Sequence, residues 1–220
     1  MEQEAHVDIS QYTFDGFVSF LFDHEVPEGP PHKRNLWYSG IEITHIPSLT
    51  CKHYIRLFLQ PRFLLERFSK AQLEQGFWAI PSWNLECSVN RLLGDTDLPI
   101  AEKEQCMRSM VDLFKYFFAA EPLDSSGYMW WDALCYDWHC GVRKRDNGGE
   151  DLQLQEVIFE TLSEILALDS EFCQQAALHG MNHLHHPETE KRVHRHLSEH
   201  PSLGAGQKEY ALAAARFELQ

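Results

Sequence analysis

Several features are missing from this chain of 220 residues. No apolar run approaches the roughly 20 residues of a membrane-spanning helix, so no membrane partner is expected. Positive charge is scarce: 19 Lys and Arg stand against 33 Asp and Glu, a formal net charge of −14. Phosphate binding needs clustered basic side chains, so this balance argues against a nucleic-acid partner. The six cysteines form no CxxC pair, which removes the usual zinc-ribbon and dithiol redox motifs. Met1 to Ser10 has neither a basic start nor an apolar centre, so no signal peptide is expected. A reduced, cytoplasmic protein with buried thiols is the simplest expectation. Phosphate-loop glycine patterns and His-Glu-x-x-His are absent too, and Gly148-Gly149 fits neither. With no complete catalytic motif, no enzymatic activity is expected, and no cofactor, catalytic residue or metal ligand is assigned.

What is present begins with a repeat. Phe114, Phe117, Leu123, Asp124 and Ser125 are answered by Phe159, Leu162, Leu168, Asp169 and Ser170, each pair 45 residues apart. Ala133-Leu134 and Ala177-Leu178 follow at an offset of 44, as expected if the helices match and a turn differs by one residue. The expected fold is all-α, with Leu-Asp-Ser in equivalent turns between paired antiparallel helices.

Helical apolar spacing supports this along the chain. Phe14 to Asp23 reads as a short first helix, and the first ten residues as the one stretch open to disorder. Pro27, Gly29, Pro30 and Pro31 introduce a long loop over residues 24–48, with Trp37, Tyr38, Ile41 and Ile43 packing it down, in a short strand at most. Leu49 to Phe68 reads as a helix interrupted near Pro61. Ser69 caps a helix through Trp78 in which Gly76 permits close packing, and Ser82 starts another that Gly94 stops. Ile100 to Ala120 is a long helix, and Asp124 or Ser125 is the expected N-cap of its tryptophan-rich partner, which Gly141 ends. Arg143 to Gly149 reads as an exposed, flexible loop. The spans 151–167 and 172–183 form the next pair, and 187–199 and 207–219 the last. Trp131, Leu134, Ile158, Leu162, Ala177 and Leu178 are the expected shared core.

Phe172 to Leu184, with Ala176, Ala177, Leu178 and Gly180 ahead of Pro187, resembles the second helix of a HEAT repeat. Tyr210 to Ala215 is similar in a more degenerate form. The resemblance covers Ile100 to Gln220 and implies an irregular HEAT/armadillo-like helical-hairpin solenoid over 99–220, preceded by a divergent helical part over 1–98. It implies an architecture and carries no activity.

Three clusters could bear function. Among 13 histidines, His179 and His183 lie four apart on one helix, as zinc ligands do, and His196 and His200 repeat the spacing. No carboxylate stands between the first two, so helix-end and surface roles are the simpler reading. The stretch Trp130 to Cys140 places Cys beside His, but adjacent helical residues point about 100° apart. A core helix, or an aromatic binding surface using Trp130 and Asp137, fits better. Between Asp146 and Glu190 there is no Lys or Arg, and Glu156, Glu160 and Glu164 form one ridge at four-residue spacing.

The functional expectation is an acidic protein-binding module, in its most concrete form a bacterial immunity or antitoxin-like inhibitor of a basic toxin. Glu156, Glu160, Glu164, Trp130 and Asp137 are the expected partner-binding residues. A metal-binding or hydrolytic protein using the His179/His183 region is the alternative, and a scaffold or adaptor the third reading.

Overall fold

The computed structural model describes residues 5–27 and 36–219. Two short strands, β1 (Ala5–Asp8) and β2 (Ile41–Thr44), pair in parallel with Ala5 opposite Ile41 and Asp8 opposite Thr44. Residues 5–8, within the ten read as open to disorder, are thus held in a strand, and residues 1–4 lie outside the described residues. The connection between the strands contains α1 (Phe14–Phe22), since parallel strands need a crossover. Thr13 caps α1, its hydroxyl accepting the Gly16 N–H at 3.2 Å. Part of the expected 24–48 loop, residues 28–35, lies outside the described residues. Beyond it the chain does pack down: Trp37 stacks on His24 at 3.8 Å, and Tyr38 is buried.

The rest is helical. The helices are α2 (Pro47–Leu59), α3 (Leu64–Arg67), α4 (Lys70–Ala79), α5 (Val89–Gly94), α6 (Ile100–Leu113), α7 (Trp130–His139), α8 (Gly149–Leu166), α9 (Glu171–Leu184), α10 (Thr189–Glu199) and α11 (Ala205–Ala215). Among the described residues no helix is long and apolar enough to cross a membrane. Pro61 breaks α2 from α3 as expected, and Ser69 forms a capping box with Gln72 at the start of α4. The expected helix from Ser82 is shorter. The Ser82 hydroxyl accepts the Asn84 N–H and holds a turn there, and Ser88 caps α5, its hydroxyl accepting the Arg91 N–H. At the other end of the chain α11 starts at Ala205 and stops at Ala215, ahead of the expected 219.

α6 packs on α2 and on α8, while α7 packs on α5 and on α9, and α11 continues on α9. One layer therefore holds α2, α6 and α8, and the other α5, α7, α9 and α11. α6 runs into a π-helical turn, Phe114–Phe118, closed by the Ala119 N–H donating to the Phe114 carbonyl at 2.9 Å. The wider turn puts Phe114, Phe117 and Phe118 into the core together. All six expected core residues, from Trp131 to Leu178, are buried.

The two Leu-Asp-Ser turns are used differently. Ser170 caps α9, its hydroxyl accepting the Cys173 N–H. Around Ser125 there is no helix start; α7 begins only at Trp130. Instead the backbone N–H groups of Asp124, Ser125 and Ser126 and the hydroxyls of both serines converge on the carboxylate of Glu74 in α4, at 2.8–3.2 Å. The Trp78 indole N–H donates to the same carboxylate at 3.0 Å. This corrects the reading of Asp124 or Ser125 as an N-cap: a carboxylate from 50 residues earlier takes up the donors.

Gly180 sets the contact between α7 and α9. A Cβ placed there would lie 2.6 Å from the Cβ of Trp131 and 2.8 Å from Cδ2 of Leu162. Alanine gains about 1 kcal/mol of helix propensity over glycine. Overpacking a filled contact costs about 1–3 kcal/mol, and here both neighbours are core side chains with no room to give. Gly180→Ala is therefore expected to lower stability by about 1–2 kcal/mol in chemical denaturation. A variant as stable as the parent would show that the two helices can separate freely. Gly76 plays the same part in α4, where an added Cβ would collide with the Phe22 ring and the Leu21 carbonyl.

Candidate functional site

The acidic ridge lies on α8, but it is not bare. Arg145 Nη2 donates to Glu156 at 2.5 Å, and His186 Nε2 lies 3.4 Å from the same carboxylate. Arg108 of α6 meets Glu160 at 2.8 Å. Glu164 is exposed and has no ion pair among the described residues. No Lys or Arg of α8 itself compensates the ridge, and two of its three members are paired by Arg145 and Arg108 from elsewhere in the chain.

The pairing also shows how the two helices lie. Lys103 Nζ bonds both oxygens of Glu150 at 3.0 and 2.9 Å, and Arg108 meets Glu160, so α6 and α8 run side by side in the same direction. Glu104, Arg108 and Asp112 form a row on α6 beside the row Glu156, Glu160 and Glu164 on α8. This face holds five carboxylates, with Arg108 as the one cation in the two rows.

Trp130 and Asp137 do not join it. Trp130 is 0% exposed, its indole N–H directed at the Met110 sulfur at 3.3 Å and its ring edge-on to Phe58, so it offers no surface to a partner. Its expected place on an aromatic binding surface is corrected to the core. Asp137 closes a local turn: its carbonyl accepts the N–H groups of Val142 and Arg143, and its carboxylate lies 3.6 Å from Arg143 Nε. Arg143 also donates to the Leu93 carbonyl at 2.9 Å and pairs with Asp151. The segment Arg143 to Gly149, expected to be flexible, is tied down by these bonds. Cys135 is fully buried, which pushes its thiol pKa up, so it cannot serve as a thiolate beside His139.

The histidines form the second cluster. His179 and His183 stand one turn apart on α9, with their Nε2 atoms 3.2 Å from each other. Asp132 of α7 brings Oδ1 to 3.1 Å from His183 Nε2. Sequence reading found no acid for this pair because the acid comes from the facing helix. The three donor groups all lie within 4.8 Å of one another. Both rings are buried, at 2% for His179 and 6% for His183. Burial, followed by the neighbouring His179, lowers the pKa of His183 to about 4, and burial also lowers that of His179. Both imidazoles are neutral at neutral pH.

Tyrosines stand behind this cluster. The Tyr128 hydroxyl lies 3.2 Å from His179 Nδ1 and 2.7 Å from the Tyr210 hydroxyl of α11. With Nδ1 engaged by Tyr128, His179 presents Nε2 to the centre. His183 Nδ1 is buried with no hydrogen-bond partner among the described residues. Tyr128 and Tyr210 also border a cavity of ≈ 440 Å³, completed by Gln174, Leu178, His196 and Gln207. The His196 and His200 rings lie 4.4 Å apart, tilted by 36°, but no carboxylate joins them in a three-group cluster among the described residues.

Models of known protein families, curated proteins and solved structures yield no match to this chain. The chemistry of the two clusters therefore stands on their own geometry.

Proposed function

We propose that this chain is an acidic protein-binding module that meets a basic partner through the α6–α8 face. The observation that carries the reading is the pair of aligned rows: five carboxylates, of which Glu160 is bonded to Arg108 and Glu156 to Arg145. Among the described residues, Glu104, Asp112 and Glu164 carry negative charge with no ion pair. A partner bearing spaced Lys or Arg complements it, and the net charge of −14 draws that partner in from a distance. The HEAT-like resemblance belongs to the same proposal, because stacked helical hairpins present long, continuous surfaces to other proteins. An immunity or antitoxin-like inhibitor that covers the active site of a basic bacterial toxin is the most concrete form of this function.

The test uses the partner captured from the host on the untagged protein. Glu104→Gln, Asp112→Asn and Glu164→Gln together remove three charges without disturbing Arg108 or Arg145. Association with the partner at low salt is expected to slow by about tenfold, with a flatter dependence on salt. Equal rates and equal salt slopes for variant and parent would move the binding surface off this face.

A further inference from the structure

The histidine cluster makes no contribution to that reading, and its geometry points elsewhere. We propose that Asp132, His179 and His183 form a binding site for one divalent transition-metal ion, with Zn²⁺ the best match, leaving a fourth coordination position open.

The spacing of the donors is the first argument. Zinc bonds imidazole nitrogen and carboxylate oxygen at about 2.0–2.2 Å in tetrahedral geometry, which puts neighbouring ligand atoms about 3.3 Å apart. The two Nε2 atoms are 3.2 Å apart, and His183 Nε2 is 3.1 Å from Asp132 Oδ1. Both edges match a shared ion, and the remaining one, from His179 to Asp132, lies within 4.8 Å. Without an ion, the two nitrogens share at most one proton, and with that proton on His179 the lone pair of His183 Nε2 faces the Asp132 carboxylate.

The scaffold is the second argument. His179 and His183 sit at i and i+4 on a regular helix, so their rings project the same way. Gly180, between them, is what lets α7 approach closely enough for Asp132 to complete the set. Tyr128 engages Nδ1 of His179 and so fixes which nitrogen faces inward, the usual task of an outer-shell partner. Tyr210 holds Tyr128 in turn.

The donor set narrows the ion. Two imidazoles and one carboxylate suit zinc, nickel, cobalt or copper; calcium and magnesium take oxygen ligands in greater number. Sulfur takes no part, since Cys135 is turned into the core. Asp132 is 34% exposed at its side chain, which leaves a route for an ion to enter and for water to occupy the fourth position.

The experiment uses the full chain, purified without a histidine tag and stripped with a chelator. Zn²⁺ is titrated against a chromophoric competitor, and Co²⁺ serves as a spectroscopic probe of four-coordinate geometry. One equivalent of tight binding is expected, with intense visible Co²⁺ bands and a melting temperature that rises with added Zn²⁺. Asp132→Ala, half-exposed and outside the core, is expected to weaken binding more than about 100-fold, the upper range for loss of an outer-shell partner. Tyr128→Phe is expected to cost about 10- to 100-fold by releasing the ring of His179. His194→Ala with His200→Ala, both on the α10 segment, should leave affinity unchanged. His183→Ala adds a direct ligand loss if it folds; if it does not, Asp132→Ala decides. The proposal is overturned by the absence of stoichiometric binding, by binding that survives Asp132→Ala, or by binding that the α10 double variant abolishes.

Discussion

Metal-free protein is expected to lose stability as the pH falls from 6.5 to 4. His45, His53, His179, His183, His185, His186 and His196 all have pKa values lowered from 6.5, with burial the first cause in each. These rings bind protons more readily in the unfolded chain than in the folded one. Above pH 6.5 neither state protonates them, and the native state keeps its full stability. As the pH falls below 6.5 the unfolded chain takes up protons first, and each unit of offset favours unfolding by about 1.4 kcal/mol per group. His183 alone, with a folded value of about 4, contributes a loss of about 3 kcal/mol by that pH. Six further rings act in the same direction, against a total stability of about 5–15 kcal/mol for an ordinary domain. Urea denaturation at half-unit steps from pH 8 to pH 4.5, with a chelator present, measures the slope. A midpoint that stays level through pH 6.5–4.5 would mean that these rings are hydrated in solution.

Glu74→Ala is the single substitution with the largest expected cost. Its carboxylate accepts from three successive backbone N–H groups, two hydroxyls and an indole N–H. Hydrogen bonds to a charged acceptor contribute about 1.5–3 kcal/mol each, and these share one group, so they do not add in full. Removing the acceptor also strands donors in a part-buried turn. A loss of about 3–4 kcal/mol is expected, with Glu74→Gln losing less because one oxygen remains. The urea midpoint should fall with little change in the slope. A shift below about 0.5 kcal/mol would place the turn among surface features that water satisfies equally well.

How far the sequence carried depended on the range of the interaction. Helix faces were legible, because the apolar period of α8 is local and Leu154, Val157, Ile158, Leu162 and Ile165 are all buried. The turn at Leu168-Asp169-Ser170 was legible for the same reason, although Ser170 as its cap was not. Leu123-Asp124-Ser125 has the same letters, but its donors go to Glu74, whose position in space no local pattern reveals. Arg108 and Arg145 escaped notice as partners of the ridge because they lie outside its helix. Asp132 was missed at the histidines in the same way. One signal was available: α7 and α9 pack together, and Asp132 precedes His179 by 47 residues, close to the 45-residue offset of the repeated motif. Trp130 was misplaced because a tryptophan suits both a core and an interface, and composition does not separate the two.

The Lys103–Glu150 bond has a consequence for how the charged face can be used. Lys103 is 1% exposed, so its ammonium has no water to fall back on. Sliding α8 along α6 by one turn would move the carboxylate about 5.4 Å and leave that charge alone in apolar surroundings. An uncompensated buried charge costs about 3–5 kcal/mol, so the slipped register is essentially unpopulated. The bond acts as a bolt between two parallel rods. It fixes which carboxylate of one row stands beside which of the other, and the intervals between Asp112, Glu160 and Glu164 are therefore set by the buried lysine. For the partner proposed above, this means matching a rigid ruler of charge; a merely cationic tail would gain the long-range attraction without the fit.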